Sequence, residues 1–470
     1  MVNEYTGPPP QELETFLPKD QQKNGISTYK VAPAAPSDAE NGTLPDFDPF
    51  KERRVDHPTT DMDTLTHLLK ASLGTGILAM PMAFSYAGLI TGIFATILTA
   101  LICTHCAYVL VKCAHTLYRR TRKTSMNFSE VAENAFVNGP RWSRPWAQFM
   151  KKFINYGLFV TYFGTCSVYT VIIAANIREV IEHVFDIHDQ DERVYIALLL
   201  IPLILLSWVP NLKYLAPFST VANLFMGVGL LITLYYLTTD MPDINSRPLH
   251  TSLLKLPPFF GIVIFAMEAI GVVMPLENSM KTPQHFIGIC GVLNQGMAGV
   301  TLVYILLGFI GFVKYGDDAK GSITLNLPIE ELKAQIVRIL IALAVFCTFG
   351  LQFYVCLEIG WEGIKNKFTK RPVLVNYVMR TVLVTSAVLL AVAVPTIGPF
   401  VGLLGAFCFS ILGLLVPIVI EMVTYWDQGF GKYYWIIWKN IFITFFGIIA
   451  LYFGSKSSIE DIVALYRQTE

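Results

Sequence analysis

The sequence predicts an all-α polytopic membrane protein whose first and sixth membrane-spanning helices are broken near their centres. Of its 470 residues, 53% are hydrophobic and only 15% are charged, which is more apolar surface than a soluble domain can cover. The apolar residues form runs of roughly the ~20 residues that cross a bilayer. Two of these runs contain residues that interrupt a helix.

Eleven apolar runs are long enough to be candidate spans. They cover residues 65–87, 89–111, 150–181, 194–210, 214–238, 257–279, 286–313, 333–360, 373–394, 397–422 and 434–454. The membrane region is therefore predicted over residues 61–455, followed by a short C-terminal tail at 456–470. Residues 1–60 contain nine prolines and few apolar runs, which is typical of a disordered tail.

The loops on either side of the third span differ in charge. The loop before it is basic and contains Lys112, Arg119, Arg120, Arg122, Lys123, Arg141, Arg144, Lys151 and Lys152. The loop after it is acidic and contains Glu179, Glu182, Asp186, Asp189, Asp191 and Glu192. By the positive-inside rule the basic loop is cytosolic, so the N-terminus is predicted in the cytosol and the C-terminus outside it. The formal net charge is zero, and the charge pattern gives no indication of nucleic-acid binding.

The first span contains the stretch HLLKASLGTGILAMP at residues 67–81, with Gly74, Thr75 and Gly76 near its centre. Backbone polar groups in a bilayer must be satisfied inside the protein, so an unwound stretch is tolerated where it lines a cavity. Small residues also allow close packing between membrane helices. The first span by itself leaves both interpretations open.

The sixth span, PPFFGIVIFAMEAIGVVMPLENSM at 257–280, favours the cavity interpretation. Glu268 lies near its middle, Gly271 follows, and Pro275 comes one turn later. The two interrupted spans are five apart, and five is an odd number of crossings. A second five-helix unit would therefore start from the opposite side of the membrane, which is the geometry of an inverted repeat. The eleventh span would be an extra, peripheral helix.

An interruption of this kind suits a ligand that carries both charges. The N-termini of half-helices present N–H groups and a positive dipole end to an anion, and unwound carbonyls accept from a cation. A free amino acid has one group of each sign. We therefore predict that its carboxylate binds around Ser72, Gly74, Thr75 and Gly76, and its ammonium group around Phe265, Ala266 and Met267.

Four ionisable residues lie within or at the ends of these two spans. Histidine titrates nearest to neutral pH, so His67 is a candidate proton carrier, although an interfacial position near the end of the helix explains it equally well. Lys70 is predicted to extend to the cytosolic surface. Glu268 costs about 3 kcal/mol in mid-membrane, which indicates a role in the site or in coupling, with capping of the broken helix as the alternative. Glu277 is predicted to make a helix-end or gating contact.

The stretch HLLKASLGTGILAMP together with GVVMPLENSM, residues 271–280, resembles the proton-coupled amino-acid transporter family of the amino acid/auxin permease superfamily. The resemblance covers residues 60 to 455. It implies a LeuT-like core, symport of small neutral amino acids with protons and without sodium, and location on the plasma membrane or on late endosomes and lysosomes. It also implies that His67 carries the coupling proton.

In the LeuT-like arrangement, the third and eighth helices flank the substrate. The polar candidates on these helices are Asn155, Tyr156, Tyr162, Thr165, Asn176, Cys347, Thr348 and Gln352. For any one of them, packing and hydrogen bonding between helices is the alternative.

Other classes of function find little support in the sequence. Cys103 and Cys106 in CTHC share a helix face, but no second ligand cluster accompanies them, so no metal is expected. No P-loop follows the GTG, and no nucleophile motif indicates an enzyme. The proton, as coupling ion, is the only cofactor expected. Two rivals remain: an amino-acid sensor with slow transport, which would bind a cytosolic signalling partner through its tail, and a sodium-coupled carrier.

Overall fold

The computed structural model describes residues 47–55, 58–186, 190–209, 212–267, 269–365 and 371–469. In these ranges the regular secondary structure is helical, apart from one isolated bridge between Thr59 and Met280. The predicted all-α class is confirmed.

In chain order the α-helices are α1 (Pro49–Glu52), α2 (Asp61–Ser72), α3 (Met80–Ala87), α4 (Leu89–Thr121), α5 (Phe128–Val137), α6 (Ala147–Phe185), α7 (Glu192–Leu198), α8 (Leu200–Ser207), α9 (Leu212–Thr238), α10 (Leu256–Met267), α11 (Ile270–Ser279), α12 (Val292–Tyr315), α13 (Leu332–Ile364), α14 (Pro372–Ala393), α15 (Ile397–Leu404), α16 (Val416–Tyr425), α17 (Trp435–Ile449) and α18 (Ser455–Thr469). A 3₁₀ turn at Thr75–Ala79 precedes α3, and π-helical segments at Gly405–Leu415 and Ala450–Gly454 continue α15 and α17.

The apolar runs of the sequence correspond to these helices. In the described part of the chain, nine helices are long and apolar enough to cross a membrane, and ten when the first span is counted with its bend of 46°. The predicted fourth span forms the two consecutive short helices α7 and α8. The ten spans and this pair of short helices together account for the eleven predicted spans.

The segment between the second and third spans forms the short amphipathic helix α5. Asn127 and Glu130 begin it with a reciprocal capping box, in which each side chain accepts from the backbone N–H of the other. Just before it, Thr124 accepts a 2.7 Å hydrogen bond from Arg53 Nε. The N-terminal segment and this loop therefore lie on the same membrane face. We call the face formed by residues 47–55, 58–60 and 122–146 the basic face.

Part of the predicted N-terminal tail is structured. Residues 49–52 form α1, begun by Asp48 with Pro49 in the first turn, and Arg53 is buried against the helices behind it. Residues 1–46 lie outside the described residues. At the other end of the chain, α18 occupies most of the predicted C-terminal tail.

On the face opposite the basic face, the sixth and tenth spans are in backbone contact. A Cβ atom at Gly405 would lie 1.8 Å from the carbonyl oxygen of Gly261, and one at Gly261 would lie 2.5 Å from that of Gly402. Only glycine permits so close an approach. This contact packs the middle of α10 against the last turn of α15 and the start of the π-helical segment that follows it.

The loop between the seventh and eighth spans covers the same face. At Gly321 a Cβ would come within 2.7 Å of the Gly398 nitrogen, so this loop lies directly on the start of α15. Arg338, buried in α13, donates to the carbonyl oxygens of Thr324 and Leu327 and pairs with Glu179 at 2.6 Å. These contacts hold the loop against α13 and the start of α15 on the face opposite the basic face.

The contact of Gly405 with Gly261 can be tested by a single methyl group. Alanine ordinarily favours helix over glycine, but here its Cβ would meet backbone, so we expect Gly405→Ala to destabilise the protein by about 1–3 kcal/mol. Gly227→Ala is the matched control, because nothing lies within 4 Å of a Cβ at that position. Thermal unfolding of the detergent-purified proteins measures both. Equal melting temperatures for the two variants would contradict this packing.

Candidate functional site

Both predicted interruptions are present. The first span stops being α-helical at Ser72 and resumes through the 3₁₀ turn that begins at Thr75. The sixth span ends its first half at Met267 and begins its second at Ile270. Glu268, predicted to act in coupling, lies in this second interruption and outside the described residues.

A cavity of about 90 Å³ lies between the two interruptions. Six of the seven predicted substrate-binding residues line it: Ser72, Gly74, Thr75, Gly76, Phe265 and Ala266. Met267 is fully buried but is not among the described lining residues. The two interruptions meet closely here, since a Cβ at Gly76 would be 2.6 Å from Ala266 Cα.

The third and eighth spans form the cavity walls. Tyr162, Thr165 and Gln352, all candidates from the sequence, line it, whereas Asn155, Tyr156, Asn176, Cys347 and Thr348 are not among the described lining residues. Tyr169 also lines it and hydrogen-bonds to Thr75 and Gln352. The sequence analysis missed Tyr169, although it follows Tyr162 and Thr165 at helical spacing. It also missed Ala71, Leu158, Thr161, Ala269, Ile270, Gly271, Val272, Phe409 and Leu412.

The partial charges around the cavity come from helix ends. The described lining residues include no Asp, Glu, Lys, Arg or His. The C-terminal ends of α2 and α10 bring carbonyl groups to the cavity, and the starts of the 3₁₀ turn and of α11 bring N–H groups. Their partial charges have opposite signs, so the cavity can bind a small molecule with one group of each sign.

The side chain of Ser72 is evidence that a ligand binds in this cavity. Its side chain is 4% exposed, and its Oγ has no hydrogen-bond partner among the described residues. A buried hydroxyl without a partner costs free energy that a bound ligand can recover.

His67 lies outside the cavity. It is on α2, with an exposed side chain, near Asp63 of the preceding turn. Five residues separate it from Ser72, which is roughly 7.5 Å along the helix at 1.5 Å per residue. Its role as proton carrier remains a prediction. Lys70 is half-buried on the same helix.

Glu277, at the end of α11, forms the most enclosed charged contact near the basic face. Its carboxylate is fully buried and accepts from Arg53 Nη2 at 3.1 Å and from Tyr118 Oη at 3.0 Å, and His115 Nε2 lies at 2.9 Å. The predicted helix-end contact thus joins three segments. The sequence analysis did not identify Arg53, His115 or Tyr118.

Backbone hydrogen bonds join the basic-face ends of the two interrupted spans. Thr59 donates to the carbonyl oxygen of Ser279 at 2.8 Å, and Lys281 donates back to that of Thr59 at 2.9 Å. The start of α2 and the end of α11 are therefore linked to each other, as well as through Arg53 and Glu277.

No three His, Cys, Asp or Glu side chains come together to hold a metal ion in the part of the chain that the structure describes. Cys103 and Cys106 are buried on α4, with neither in a disulfide.

Known proteins resemble this chain over most of its length. Residues 57–460 match a family described as transmembrane amino acid transporter protein. A Drosophila melanogaster protein, named proton-coupled amino acid transporter-like protein pathetic, is 62% identical over 98% of this chain and 97% of its own length. The Arabidopsis thaliana amino acid transporter ANT1 is 24% identical over 86% of this chain and 93% of its own.

A solved structure supports the fold. Mhp1, a nucleobase-cation-symport-1 family transporter in a closed conformation with bromovinylhydantoin bound, aligns with 90% of this chain and 96% of its own at a TM-score of 0.51 and 13% identity. The predicted LeuT-like arrangement, with broken first and sixth helices, is confirmed. The resemblance of the two motifs to the proton-coupled amino-acid transporters is confirmed as well. The chain belongs to the transmembrane amino acid transporter protein family.

Proposed function

We propose that this amino acid transporter carries small neutral amino acids toward the cytosol together with protons. The observation that carries the proposal is the convergence of two interrupted helices on a small cavity lined by Ser72, whose hydroxyl has no partner among the described residues. The ends of the helices match the carboxylate and the ammonium group of a zwitterion.

The size and charge of the cavity support the choice of substrate. About 90 Å³ is well below the ~300–1,000 Å³ of pockets for drug-sized ligands, so small amino acids such as glycine, alanine and proline fit best. The described lining has no charged side chain to pair with a charged substrate side chain.

The contacts on the two faces support an alternating-access cycle. On the opposite face Gly261 and Gly321 pack against the tenth span, and on the basic face α11 is linked to the N-terminal segment through Glu277. In the proposed cycle, substrate and proton enter when the glycine contacts open. Both leave when α2 and α11 move away from the basic face, and downhill proton entry drives the cycle.

The name of the Drosophila relative and the resemblance of the motifs support protons over sodium as the coupling ion. His67 and Glu268 are the proposed proton-coupling residues. We propose residence on the plasma membrane or on late endosomal and lysosomal membranes, with the N-terminus in the cytosol. Protease protection of an N-terminal tag in intact vesicles tests that orientation.

A sensor role is the second candidate, and one contact favours it. Arg53 of the N-terminal segment forms an ion pair with Glu277. Glu277 lies at the end of α11, the half-helix that is proposed to move. A partner bound to residues 1–46 would thus be connected, through the chain that leads to Arg53, to a segment whose position is proposed to depend on occupancy of the site.

Uptake into proteoliposomes tests the transport proposal. We expect labelled glycine, alanine and proline to accumulate with an imposed proton gradient, equally in sodium and in choline. In His67→Ala the gradient should no longer accelerate uptake, whereas exchange of labelled for unlabelled alanine without a gradient should persist. Thr66→Ala, an exposed neighbour on α2, is the control. Gradient-driven uptake retained in His67→Ala would exclude His67 as the proton carrier, and dependence on sodium would favour the sodium-coupled carrier.

Glu268→Gln tests the second coupling residue. The substitution keeps size and hydrogen bonding but removes the charge, so we expect uptake to lose its dependence on pH. The amount of folded protein should stay the same or rise, since the charged form costs about 3 kcal/mol on insertion. Glu362→Gln, at a glutamate 69% exposed, is the control. Normal pH-dependent uptake in Glu268→Gln would assign this residue to capping of the broken helix.

Two changes separate transport from sensing. Deletion of residues 1–46 should leave uptake unchanged, and a sensor would then lose only its growth-signalling response to amino acids. Arg53→Ala should increase amide hydrogen exchange over residues 270–280, because buried Glu277 loses its cation. Arg54→Ala, at the exposed neighbouring position, should change nothing. Loss of uptake on deletion would show that the tail serves transport itself.

A further inference from the structure

Tyr304 joins the two interrupted helices through a single hydroxyl group. It lies on α12, the seventh span, and its side chain is fully buried. Its Oη donates to the carbonyl oxygen of Ser72 at 2.5 Å and lies 3.0 Å from that of Ala266. Ser72 is the last residue of α2, and Ala266 is the last but one of α10. One side chain therefore bridges the carbonyl ends of both interruptions.

The chemistry of this bridge resembles that of a bound cation. Carbonyl groups at the C-terminal end of a helix carry partial negative charge and lack helical partners. In transporters with interrupted helices, such carbonyls coordinate the coupling cation. Here the single hydroxyl of a phenol lies within hydrogen-bond distance of both oxygens.

We propose that the Tyr304 hydroxyl occupies the position of a bridging metal cation and thereby makes substrate binding independent of sodium. The inference rests on the proposed function, in which protons and not sodium ions drive uptake. It makes Tyr304 a positioning residue that determines ion specificity, because Tyr304 is not among the described residues that line the cavity.

The bridge requires the protonated form of Tyr304. A phenolate would place a negative charge against two carbonyl oxygens, with no hydrogen left to donate to either. The hydroxyl therefore keeps its proton while the bridge exists. Tyr304 holds the two helices in place, and the transported proton is carried elsewhere.

The packing of the seventh span fixes the position of the Tyr304 hydroxyl. On one side of Tyr304, Gly296 contacts Leu68 of α2, and on the other side Gly311 contacts Pro81 of α3. The helix thus lies against both halves of the first span. A tyrosine on this helix holds its hydroxyl in place through packing, whereas a metal ion would have to bind from solution.

Substitution of Tyr304 separates a bridge from simple filling of space. Tyr304→Phe leaves both carbonyls buried against an apolar ring, so we expect alanine affinity to fall about ten- to hundredfold in any salt. Tyr304→Asn and Tyr304→Ser leave room for an ion, so they should bind alanine in sodium chloride but not in choline chloride. Wild type should bind equally in both. Alanine-dependent thermal stabilisation in detergent measures this without a proton gradient.

Tyr354→Phe is the matched control, since it removes the hydroxyl of another buried tyrosine on the eighth span, and it should gain no response to sodium. Wild-type affinity in Tyr304→Phe would overturn the proposal. So would folded Asn and Ser variants that behave alike in the two salts. If neither of these folds, the affinity of Tyr304→Phe decides.

Failure of the proposed function gives a different result. If wild type moved no protons, or bound no alanine, the transport proposal would fail. The Tyr304 proposal would still be decided by sodium alone, which should raise the melting temperature of Tyr304→Asn but not that of wild type. Absence of that shift in a folded Tyr304→Asn would overturn it.

Discussion

The structure depends on one constraint, which is that a backbone in hydrocarbon must find its hydrogen bonds within the protein. A continuous helix meets this constraint by itself, but a helix interrupted at mid-membrane leaves N–H and carbonyl groups without helical partners. This chain interrupts two helices at the same depth and next to each other. The unpaired groups of both then face a shared space, where Tyr304 satisfies carbonyls of each.

The same constraint produces a binding cavity whose described lining includes no charged side chain. Each interruption exposes one carbonyl end and one N–H end, so the two together provide partial charges of both signs around a small volume. A side-chain ion in this place would need a partner of its own and would cost free energy when the cavity is empty. The helix ends carry their charge whether or not substrate is present. The unpartnered hydroxyl of Ser72 adds a polar group that a ligand can satisfy.

Different kinds of contact hold the helices together on the two faces of the membrane region. On the opposite face the contact is backbone packing at Gly261, Gly402 and Gly405, which depends on the absence of side chains. The basic face is held by a buried charge, Glu277, shared among the N-terminal segment, the second span and the sixth. Close packing is lost once the backbones separate, whereas a buried ion pair that opens toward water is compensated by solvation.

The sequence by itself determined the features that depend on neighbouring residues. The apolar runs, the charge of the loops and the interruptions at Gly74–Gly76 and around Glu268 are local, and bilayer thickness and backbone hydrogen bonding give each a direct structural meaning. Six of the predicted binding residues line the cavity because they belong to the interruptions themselves.

The tertiary structure alone decided which distant residues meet there. Tyr304 and Ser72 are 232 positions apart, and Arg53 and Glu277 are 224 apart, so no local pattern connects them. The direction in which a side chain points also depends on how its helix is placed in the fold. Successive helical residues point about 100° apart. The placement of α10 directs Ala266 toward the cavity, whereas its neighbour Met267 is not among the described lining residues. His67 shows the same limit, since its place on α2 followed from the sequence but its exposure outside the cavity depended on how that helix packs.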